Sequence, residues 1–325
     1  MKSVLVTGGA GFLGNYIVSE LLRKKYTICI LDDLSNSTNP LKNNPGVTFA
    51  KVDLTNKEGA RKYFKKFDKC IHLAAKSGGI GYWSKFPAKI ISENNKIYST
   101  VFELAAEYKY KRIIYTSSST VFESTHIFPI REKDLVVTPA PVTAYGFSKL
   151  IGEYYCKAFL DEYGLPFTII RLFNAYGSNE YPTIEGAFNH VIPDLIKKTL
   201  SGQYPIEILG TGKQTRCFTH ASDISRAIVM ALENNKAINE EINIGNEEIS
   251  ILDLAKKIHK FAGVSKPFKY RLIKGFSNDL RRSSPDVSKA KRILDWQPKI
   301  SLDKSLPEII SWMKSNETYI SKKGI

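Results

Sequence analysis

The chain has 325 residues, of which 43% are hydrophobic, so it can bury a large core in one two-lobed domain or in two ordinary domains. Its formal net charge of +15 at pH 7 raises the question of nucleic-acid binding, because clustered lysines and arginines are typical of phosphate-binding surfaces. The lysines are instead spread along amphipathic helical stretches, and no nucleic-acid-binding motif is present. This distribution favours a solvated basic surface and no nucleic-acid partner.

The sequence also indicates the cellular compartment of the protein. No stretch is apolar for long enough to predict a transmembrane helix, and the apolar run within the first nine residues is too short for a signal peptide. We therefore expect a cytoplasmic protein without a membrane partner. The four cysteines are widely separated and show neither disulfide nor zinc-site spacing, so we expect reduced, buried thiols and no metal.

Apolar segments of strand length alternate with helical patterns through the first half of the chain. The predicted strands are residues 3–7, 27–31, 47–52, 69–73, 112–115 and 167–172. The predicted helices are a segment that follows the glycine-rich turn after residue 7, and residues 57–67, 90–107 and 144–162. This alternation predicts an α/β fold, a doubly wound parallel sheet of the Rossmann type with helices on both faces.

Beyond about residue 176 the alternation is less regular. Helices are predicted at residues 187–200, 223–232 and 252–261, and strands at residues 206–209 and 241–244. We interpret residues 1–175 as a Rossmann domain that is completed by parts of 206–245. Residues 176–325 are interpreted mainly as a smaller α/β lobe that covers the carboxyl edge of the sheet.

A glycine-rich turn joins the first predicted strand to the first predicted helix. Gly8 permits a tight turn, Gly11 lets the backbone approach a pyrophosphate, and Gly14 lets the helix pack closely on the strand. The first N–H groups of the helix and its positive dipole attract the pyrophosphate. A strand before these glycines and a helix after them predict a dinucleotide-binding site.

Asp32 ends the second strand region, where a carboxylate accepts hydrogen bonds from an adenosine ribose. A carboxylate there repels the 2′-phosphate of NADP, and residues 33–36 contain no arginine to neutralise that phosphate, so the sequence favours NAD. The alternative, in which Asp32 only caps a turn, stays open. The other residues that we expect along the cofactor are Phe12, Leu13, Asp53, Leu54, Leu73, Ala74 and Ala75.

Tyr145 and Lys149 place a phenol and an ammonium one turn apart on one face of the predicted helix at residues 144–162. Two other Tyr–Lys pairs have the same spacing, but only this pair follows a proline-containing loop at the sheet edge where a cofactor binds. A phenol has a pKa of about 10, so it acts as a base at neutral pH only when positive charge stabilises its anion. We expect Lys149 and the nicotinamide ring to supply that charge, and one hydroxyl of the serine run at residues 117–119 to hydrogen-bond the reacting oxygen.

The chain resembles the extended short-chain dehydrogenase/reductases, the NAD-dependent epimerase/dehydratase family, over nearly its full length. The residues that carry this resemblance are 7–14, Asp32, 72–75, 117–122, Tyr145, Lys149, 171–177, 214–219, 243–245 and 285–290. The resemblance implies that Ser118 is the catalytic serine and that Asn95 contacts the cofactor. It further implies that Asn174 holds the nucleotide diphosphate, that Arg216 contacts a phosphate, and that the lobe at residues 176–325 binds the substrate.

Position 120 distinguishes the reactions of this family. The 4,6-dehydratases carry an acid pair at the positions of Ser119 and Thr120, and decarboxylases carry a glutamate at the second of them. GDP-mannose 3,5-epimerase and GDP-fucose synthase carry a cysteine there. A threonine is similar to UDP-galactose 4-epimerases, and we expect Ser119 and Thr120 to contact the substrate.

Other segments resemble enzymes that act on GDP-sugars. The loop at residues 76–81, which includes Gly79, looks like that of GDP-mannose epimerase and GDP-fucose synthase. Arg281 and Arg282 also suggest GDP-mannose epimerase, so these three residues are expected near the substrate. Phe276 stands where uridine-nucleotide epimerases have an arginine. The nucleotide is therefore left open as GDP or UDP.

The resemblance implies NAD-dependent oxidation at C4 of a GDP- or UDP-linked sugar through a 4-keto intermediate, as in a nucleotide-sugar 4-epimerase. The alternative is a GDP-sugar 4-dehydrogenase or a GDP-mannose-type epimerase, which releases or further processes the 4-keto sugar. A catalytically silent NAD-binding regulator is disfavoured because Tyr145, Lys149 and Ser118 are intact. The resemblance also implies a homodimer in which the helices at residues 90–107 and 144–162 form a four-helix contact.

Overall fold

The computed structural model describes residues 2–35, 44–180, 190–275 and 280–316. Its strands are β1 (Ser3–Thr7), β2 (Thr27–Asp32), β3 (Val47–Lys51), β4 (Lys69–His72), β5 (Arg112–Ser118), β6 (Phe167–Leu172), β7 (Ala175–Tyr176), β8 (Ile206–Leu209), β9 (Thr215–His220), β10 (Glu240–Ile244), β11 (Glu247–Ser250) and β12 (Tyr270–Ile273). Its α-helices are α1 (Phe12–Arg23), α2 (Lys57–Phe64), α3 (Ile80–Lys85), α4 (Pro87–Glu107), α5 (Ala144–Tyr163), α6 (Val191–Leu200), α7 (Ala221–Glu233), α8 (Ile251–Ala262), α9 (Ser288–Leu294) and α10 (Leu302–Ser315).

The largest described sheet has seven strands in the order β10-β6-β5-β4-β1-β2-β3, and all neighbouring strands are parallel. Val4, Leu5 and Val6 of β1 are fully buried, as expected for a central strand with helices on both faces. From β1 the chain adds β2 and β3 on one side, and from β4 it adds β5 and β6 on the other side. Ligands of such sheets bind beyond the carboxyl ends of the strands between β1 and β4, where the direction changes. The predicted α/β fold is confirmed.

Helices cover both faces of this sheet. Val4 and Val6 contribute to one core, in which Ile17 of α1 packs with α7, whereas Leu5 contributes to the opposite core. This alternation follows from the two-residue repeat of a strand. The opposite core lies under α4 and α5, where Phe102 is fully buried. The helices predicted in the first half of the chain correspond to α1, α2, α4 and α5.

Two smaller sheets, β11-β9-β7 and β12-β8, surround a third core with α6, α8 and α10. Of the elements between residues 206 and 245, β10 and α7 pack with the large sheet, whereas β8 pairs with β12. The predicted helix at residues 187–200 begins outside the described residues, and α6 covers the remainder from Val191. The sequence did not predict β7, β9, β11, β12, α3, α9 or α10.

Two further expectations concern a membrane partner and the state of the cysteines. No helix in the described ranges is long and apolar enough to cross a membrane. The free and buried cysteines are Cys29, Cys70, Cys156 and Cys217. Burial raises the pKa of Cys29 to about 11 and that of Cys217 to about 12, so both thiols remain protonated and unreactive at neutral pH.

Gly152 lies where α5 crosses β5. A Cβ atom at this position would come within 2.1 Å of the Tyr115 hydroxyl oxygen. The Tyr115 hydroxyl donates to the Lys149 carbonyl at 3.1 Å, and the Tyr115 side chain is fully buried, so it has no free space to occupy. The absence of a side chain at Gly152 therefore sets how closely α5 approaches the sheet.

We expect Gly152→Ala to lower the free energy of unfolding by about 1–3 kcal/mol, because overpacking a filled core forces its neighbours to shift. Urea unfolding measures the change. Gly59→Ala on α2 is the matched control, since the nearest atom to its new Cβ would lie at 3.4 Å, an ordinary contact. An exposed helical alanine should leave stability unchanged or raise it by up to about 1 kcal/mol. Equal stability of Gly152→Ala and the unmodified chain would contradict this account.

Candidate active site

A cleft of about 430 Å³ lies beyond the carboxyl ends of β1, β2, β4 and β5. The residues predicted from the sequence that line it are Gly8, Gly11, Phe12, Leu13, Gly14, Asp32, Asp53, Leu54, Leu73, Ala74, Ala75, Ser118, Ser119, Thr120, Tyr145, Lys149 and Asn174. The cleft therefore brings the predicted cofactor residues and the predicted catalytic residues together.

The glycine-rich turn forms part of the cleft wall. Gly8 has a φ of +71°, and a Cβ there would come within 2.7 Å of the Ala74 nitrogen. A Cβ on Gly14 would come within 2.6 Å of the Gly8 carbonyl oxygen, so this glycine lets α1 pack against the turn. At Gly11 a Cβ would meet only the Gly8 carbonyl oxygen among the described atoms, at 3.5 Å, so the backbone is open. Because α1 begins at Phe12 without a side-chain cap, its first N–H groups can bind a phosphate.

The Asp32 carboxylate lies at the end of β2 in the same cleft. Its Oδ2 accepts from the Ala10 N–H at 3.0 Å, and its Oδ1 accepts from the Leu34 N–H at 2.9 Å. Burial raises the pKa of Asp32, and these two donors oppose that rise. Each carboxylate oxygen can accept more than one hydrogen bond. Asp32 therefore caps a turn and can also accept from a ribose, so the two interpretations of this residue are compatible.

The loop after β4 is tied to its surroundings through Lys76. The Asn94 side chain accepts from the Lys76 N–H at 2.6 Å and donates to the Ser148 Oγ at 3.0 Å. The Lys76 Nζ donates to the Asp33 carboxylate at 2.9 Å and to the Ser35 Oγ at 3.0 Å. Burial would raise the pKa of Asp33, but Ser35 and Lys76 hold it below its usual value. The loop is thus anchored to α4 and to the end of β2.

Tyr145, Lys149 and Ser118 line the cleft together. The Lys149 Nζ donates to the Thr116 carbonyl at 2.8 Å and lies 5.9 Å from the centre of the Tyr145 ring. The Ser118 Oγ accepts from the Thr120 N–H at 3.2 Å, which leaves its hydroxyl proton for another acceptor. The arrangement combines a phenol, an ammonium and a hydroxyl donor.

Burial shifts the pKa values of the two titratable groups. It lowers the pKa of Lys149 to about 8, against the effect of the Glu153 carboxylate, which raises it. Burial also raises the pKa of Tyr145, and a hydrogen bond with Ser118 opposes this shift. The side chains of the protein alone therefore keep Tyr145 protonated at neutral pH. A phenolate at this position needs further positive charge, which is expected from the nicotinamide ring.

A buried charge network holds α5 on the sheet. Glu153 of α5 accepts from the Ser117 Oγ at 2.6 Å and from the Arg171 Nε and Nη2 at 2.9 and 2.7 Å. Arg171 also donates to Glu241 at 2.6 Å. The side chains of Arg171 and Glu153 are 0% and 1% exposed, so their charges are shielded from water and are compensated by each other.

Two of the residues predicted to bind substrate have unusual features. The Thr120 Oγ1 is buried and has no hydrogen-bond partner among the described residues, although buried polar atoms are normally paired. Asn174 has a φ of +34°, in the left-handed region that non-glycine residues rarely adopt, and its amide donates to the Cys217 carbonyl at 3.3 Å. Both features are more frequent at ligand sites than in ordinary structure.

The described lining of the cleft does not include Gly79, Asn95, Arg216, Arg281 or Arg282. The Arg216 guanidinium donates to the carbonyls of Thr215 and Leu280, both at 2.7 Å. Arg282 pairs with Glu248 at 2.9 Å. Both guanidinium groups therefore have partners within the chain, and their predicted contacts with the substrate stay predictions.

The other three residues are Gly79, Asn95 and Arg281, and their predicted roles stay predictions. Gly79 precedes α3, and Gly78 lines the cleft in its place. Asn94 holds the loop after β4, whereas the Oδ1 of Asn95 is buried without a described partner. The carbonyl of Arg281, an exposed residue, accepts from a backbone N–H of β9 at 3.1 Å. Phe276, which bore on the choice of nucleotide, lies outside the described residues.

Trp83, Lys76, Glu180 and His190 line the cleft without having been assigned a role from the sequence. The Trp83 ring stacks on the Tyr145 ring, and the His190 Nδ1 lies 2.5 Å from the Glu180 Oε1. Of these four residues, only Trp83 could have been predicted from the sequence. It is an aromatic residue next to the glycine-rich loop that follows β4.

The family model described as "NAD dependent epimerase/dehydratase family" matches residues 4–245 of this chain. The chain belongs to this family. It is therefore an NAD-dependent enzyme, as the sequence predicts. The open backbone at Gly11, the uncapped start of α1 and the Asp32 carboxylate fit the pyrophosphate and ribose of NAD.

Individual relatives align over almost the whole chain. The UDP-N-acetyl-alpha-D-glucosaminuronate decarboxylase of Bacillus cytotoxicus is 30% identical over 97% of this chain and 99% of its own. The structure of UDP-glucose 4-epimerase from Thermotoga maritima with UDP-glucose has a TM-score of 0.87 and 28% identity, covering 97% of this chain and 99% of that chain. UDP-glucuronic acid 4-epimerase from Bacillus cereus, in complex with UDP-glucuronic acid and NAD, has a TM-score of 0.86 and 29% identity, covering 96% and 99%.

We expect Asp32→Ala to weaken NAD binding by roughly 10- to 100-fold, because a charged acceptor for the ribose is lost. The preference for NAD over NADP should also fall, since the repulsion of a 2′-phosphate is removed. Isothermal titration calorimetry with both cofactors measures the two effects. Asp303→Ala on α10 is the control, because Asp303 pairs with Lys257 and lies outside the described lining of the cleft, so the NAD-to-NADP ratio should not change. An unchanged ratio in Asp32→Ala would undo the assignment of Asp32.

Proposed function

We propose that this chain is a nucleotide-sugar 4-epimerase that acts on a UDP-sugar through a 4-keto intermediate. The observation that supports this function is that Tyr145, Lys149 and Ser118 line one cleft with the glycine-rich turn. Thr120 lines the same cleft, and its unpartnered hydroxyl suits a sugar oxygen. Relatives that are UDP-sugar 4-epimerases give independent support.

Each catalytic side chain has one task in this proposal. Tyr145, as the phenolate, accepts the proton of the sugar C4 hydroxyl, and Ser118 donates a hydrogen bond to the C4 oxygen. Lys149 remains mostly protonated at neutral pH, because its pKa is about 8, and its charge stabilises the phenolate. NAD, when bound at the glycine-rich turn and Asp32, supplies the hydride acceptor. After the sugar has turned, the hydride returns to the other face of C4 while Tyr145 returns its proton to the C4 oxygen.

Thr120 favours epimerisation over the other reactions of the family. Its hydroxyl can donate and accept hydrogen bonds, but it is too weak an acid to protonate a leaving hydroxyl group. The dehydratases and decarboxylases that the sequence resembles carry carboxylic acids in this region. With Thr120 in place, the 4-keto sugar is left to be reduced again at the same carbon.

The proposed nucleotide is UDP. Two features that resemble enzymes acting on GDP-sugars make other contacts here, since Lys76 pairs with Asp33 and Arg282 pairs with Glu248. The relatives described above are named for UDP-sugars. A GDP-sugar 4-dehydrogenase or GDP-mannose-type epimerase is the alternative, and it differs from the proposal in products that can be measured.

Tyr145→Phe should lower kcat by about 100- to 10,000-fold, the usual contribution of a positioned acid–base group. NAD binding should be retained, because the phenyl ring still fills the same space. The rate is measured with UDP-glucose and UDP-glucuronic acid, and NAD binding by calorimetry. Tyr270→Phe is the matched control, because Tyr270 has the same four-residue spacing to a lysine but is 44% exposed on β12. Retained turnover in Tyr145→Phe would rule out the proposed base.

The reaction outcome is tested by incubation with UDP-sugars and with GDP-mannose in deuterated water, followed by NMR. We expect the C4 epimer of a UDP-sugar without solvent deuterium on carbon, because the hydrogen removed from C4 returns to it. Accumulation of NADH with a keto product would indicate a 4-dehydrogenase. Deuterium on carbon would indicate enolisation, as in 3,5-epimerisation, and conversion of the GDP-sugar alone would overturn the proposed nucleotide.

We also propose a homodimer through α4 and α5. Phe147 and Tyr154 lie seven residues apart on α5, so they share one helix face, and they are 41% and 66% exposed. Large exposed aromatic residues are enriched at protein interfaces. Sedimentation should give twice the chain mass of 36.6 kDa, and Tyr154→Glu should lower it. A species of 36.6 kDa at micromolar concentration would contradict the dimer.

A cytosolic location is proposed from the cysteines. All four are free thiols, and proteins of oxidising compartments usually pair their cysteines. A reducing compartment is also where an enzyme that depends on NAD and nucleotide sugars finds both. Cell fractionation tests this location directly.

A further inference from the structure

Trp83 lies against the residue proposed as the base. It belongs to α3, the short helix between β4 and α4. Its indole ring and the phenol ring of Tyr145 are stacked, with centroids 4.5 Å apart and planes inclined by 9°. Because aromatic contacts of this kind have a preferred geometry, the stack restrains the orientation of the phenol.

The indole N–H of Trp83 provides a second observation. Its Nε1 is buried and has no hydrogen-bond partner among the described residues. A buried indole N–H normally donates to an acceptor, because the cost of leaving it unpaired is high. Trp83 lines the same cleft as Thr120, whose hydroxyl oxygen is also buried and unpartnered. With the Glu180 Oε2, three described polar atoms of one cleft therefore lack a partner from the protein.

We propose that Trp83 contacts the substrate and donates its indole N–H to a sugar oxygen next to the carbon at which Tyr145 acts. This inference rests on the proposed function and names a specificity residue for it. An indole N–H is a donor and never an acceptor, so it selects a hydroxyl or carboxylate oxygen and disfavours a deoxy sugar at that position. Trp83 thereby links recognition of the sugar to the orientation of Tyr145.

A purely structural role for Trp83 would need its ring but not its N–H group. Stacking on Tyr145 requires only a flat aromatic ring, which phenylalanine also provides. The N–H is needed only if an oxygen of the ligand accepts from it. Replacement of tryptophan by phenylalanine therefore separates the two roles, and replacement by alanine removes both.

Trp83→Phe should raise the KM for the UDP-sugar that the chain converts by about 3- to 10-fold, the effect of losing one hydrogen bond, with little change in kcat. Trp83→Ala should raise KM and also lower kcat, because Tyr145 loses its stacking partner. Trp312→Phe on α10 is the matched control, since Trp312 is outside the described lining of the cleft. Circular dichroism and NAD binding check that each variant folds.

A binding experiment without turnover completes the test. The ligands are the UDP-sugar and UDP alone, titrated by calorimetry into NAD-loaded Tyr145→Phe and Tyr145→Phe/Trp83→Phe proteins. The second protein should bind the UDP-sugar about 3- to 10-fold more weakly and bind UDP equally well. Equal affinity for the UDP-sugar, or an equal loss for UDP alone, would overturn the role of Trp83. Failure of the unmodified chain to bind or convert any UDP-sugar would instead overturn the proposed function.

Discussion

The position of α5 on the sheet depends on one buried carboxylate. Glu153 accepts from Ser117 of β5 and, through both its oxygens, from Arg171 of β6, and both charged side chains are shielded from water. Taking such charges out of water costs several kcal/mol unless they are paired and hydrogen-bonded, and loss of one partner leaves the other uncompensated. Tyr145 and Lys149 precede Glu153 on the same helix. The interaction that fixes α5 to two strands therefore also places the two residues proposed for catalysis.

The burial that fixes these residues also sets their charges. Lys149 keeps a pKa of about 8 because the Glu153 carboxylate offsets part of the effect of burial. Burial raises the pKa of Tyr145, so the protein alone does not produce the phenolate. The amine is thus charged and the phenol protonated at neutral pH until further positive charge is added beside them. In the proposed reaction, this dependence makes the Tyr145 phenolate available as a base only when the oxidised cofactor is present.

The residues that sequence predicts well are those whose role follows from local backbone geometry. The turn at Gly8 requires a positive φ, and the spacing of Tyr145 and Lys149 corresponds to one helical turn, so neighbouring residues suffice to recognise both. Trp83 is different, because its stacking on Tyr145 depends on how α3 and α5 pack, which no local pattern encodes. The same reason applies to the short strands β9 and β12, which exist through pairing with distant partners.

The carboxylates of the cleft restrict the chemistry that can follow oxidation. Among the described lining residues, each carboxylate has a contact within the chain: Asp32 with Ala10 and Leu34, Asp33 with Lys76 and Ser35, Asp53 with Thr55, and Glu180 through its Oε1 with His190. The Glu180 Oε2 is buried without a described partner. Expulsion of water from a sugar needs an acid for the leaving hydroxyl in addition to the base that started the oxidation. Tyr145 can remove one proton and return it, but it cannot also protonate a hydroxyl on another carbon at the same time. This set of groups therefore supports the proposed reaction, in which hydrogen leaves C4 of the sugar and returns to the same carbon.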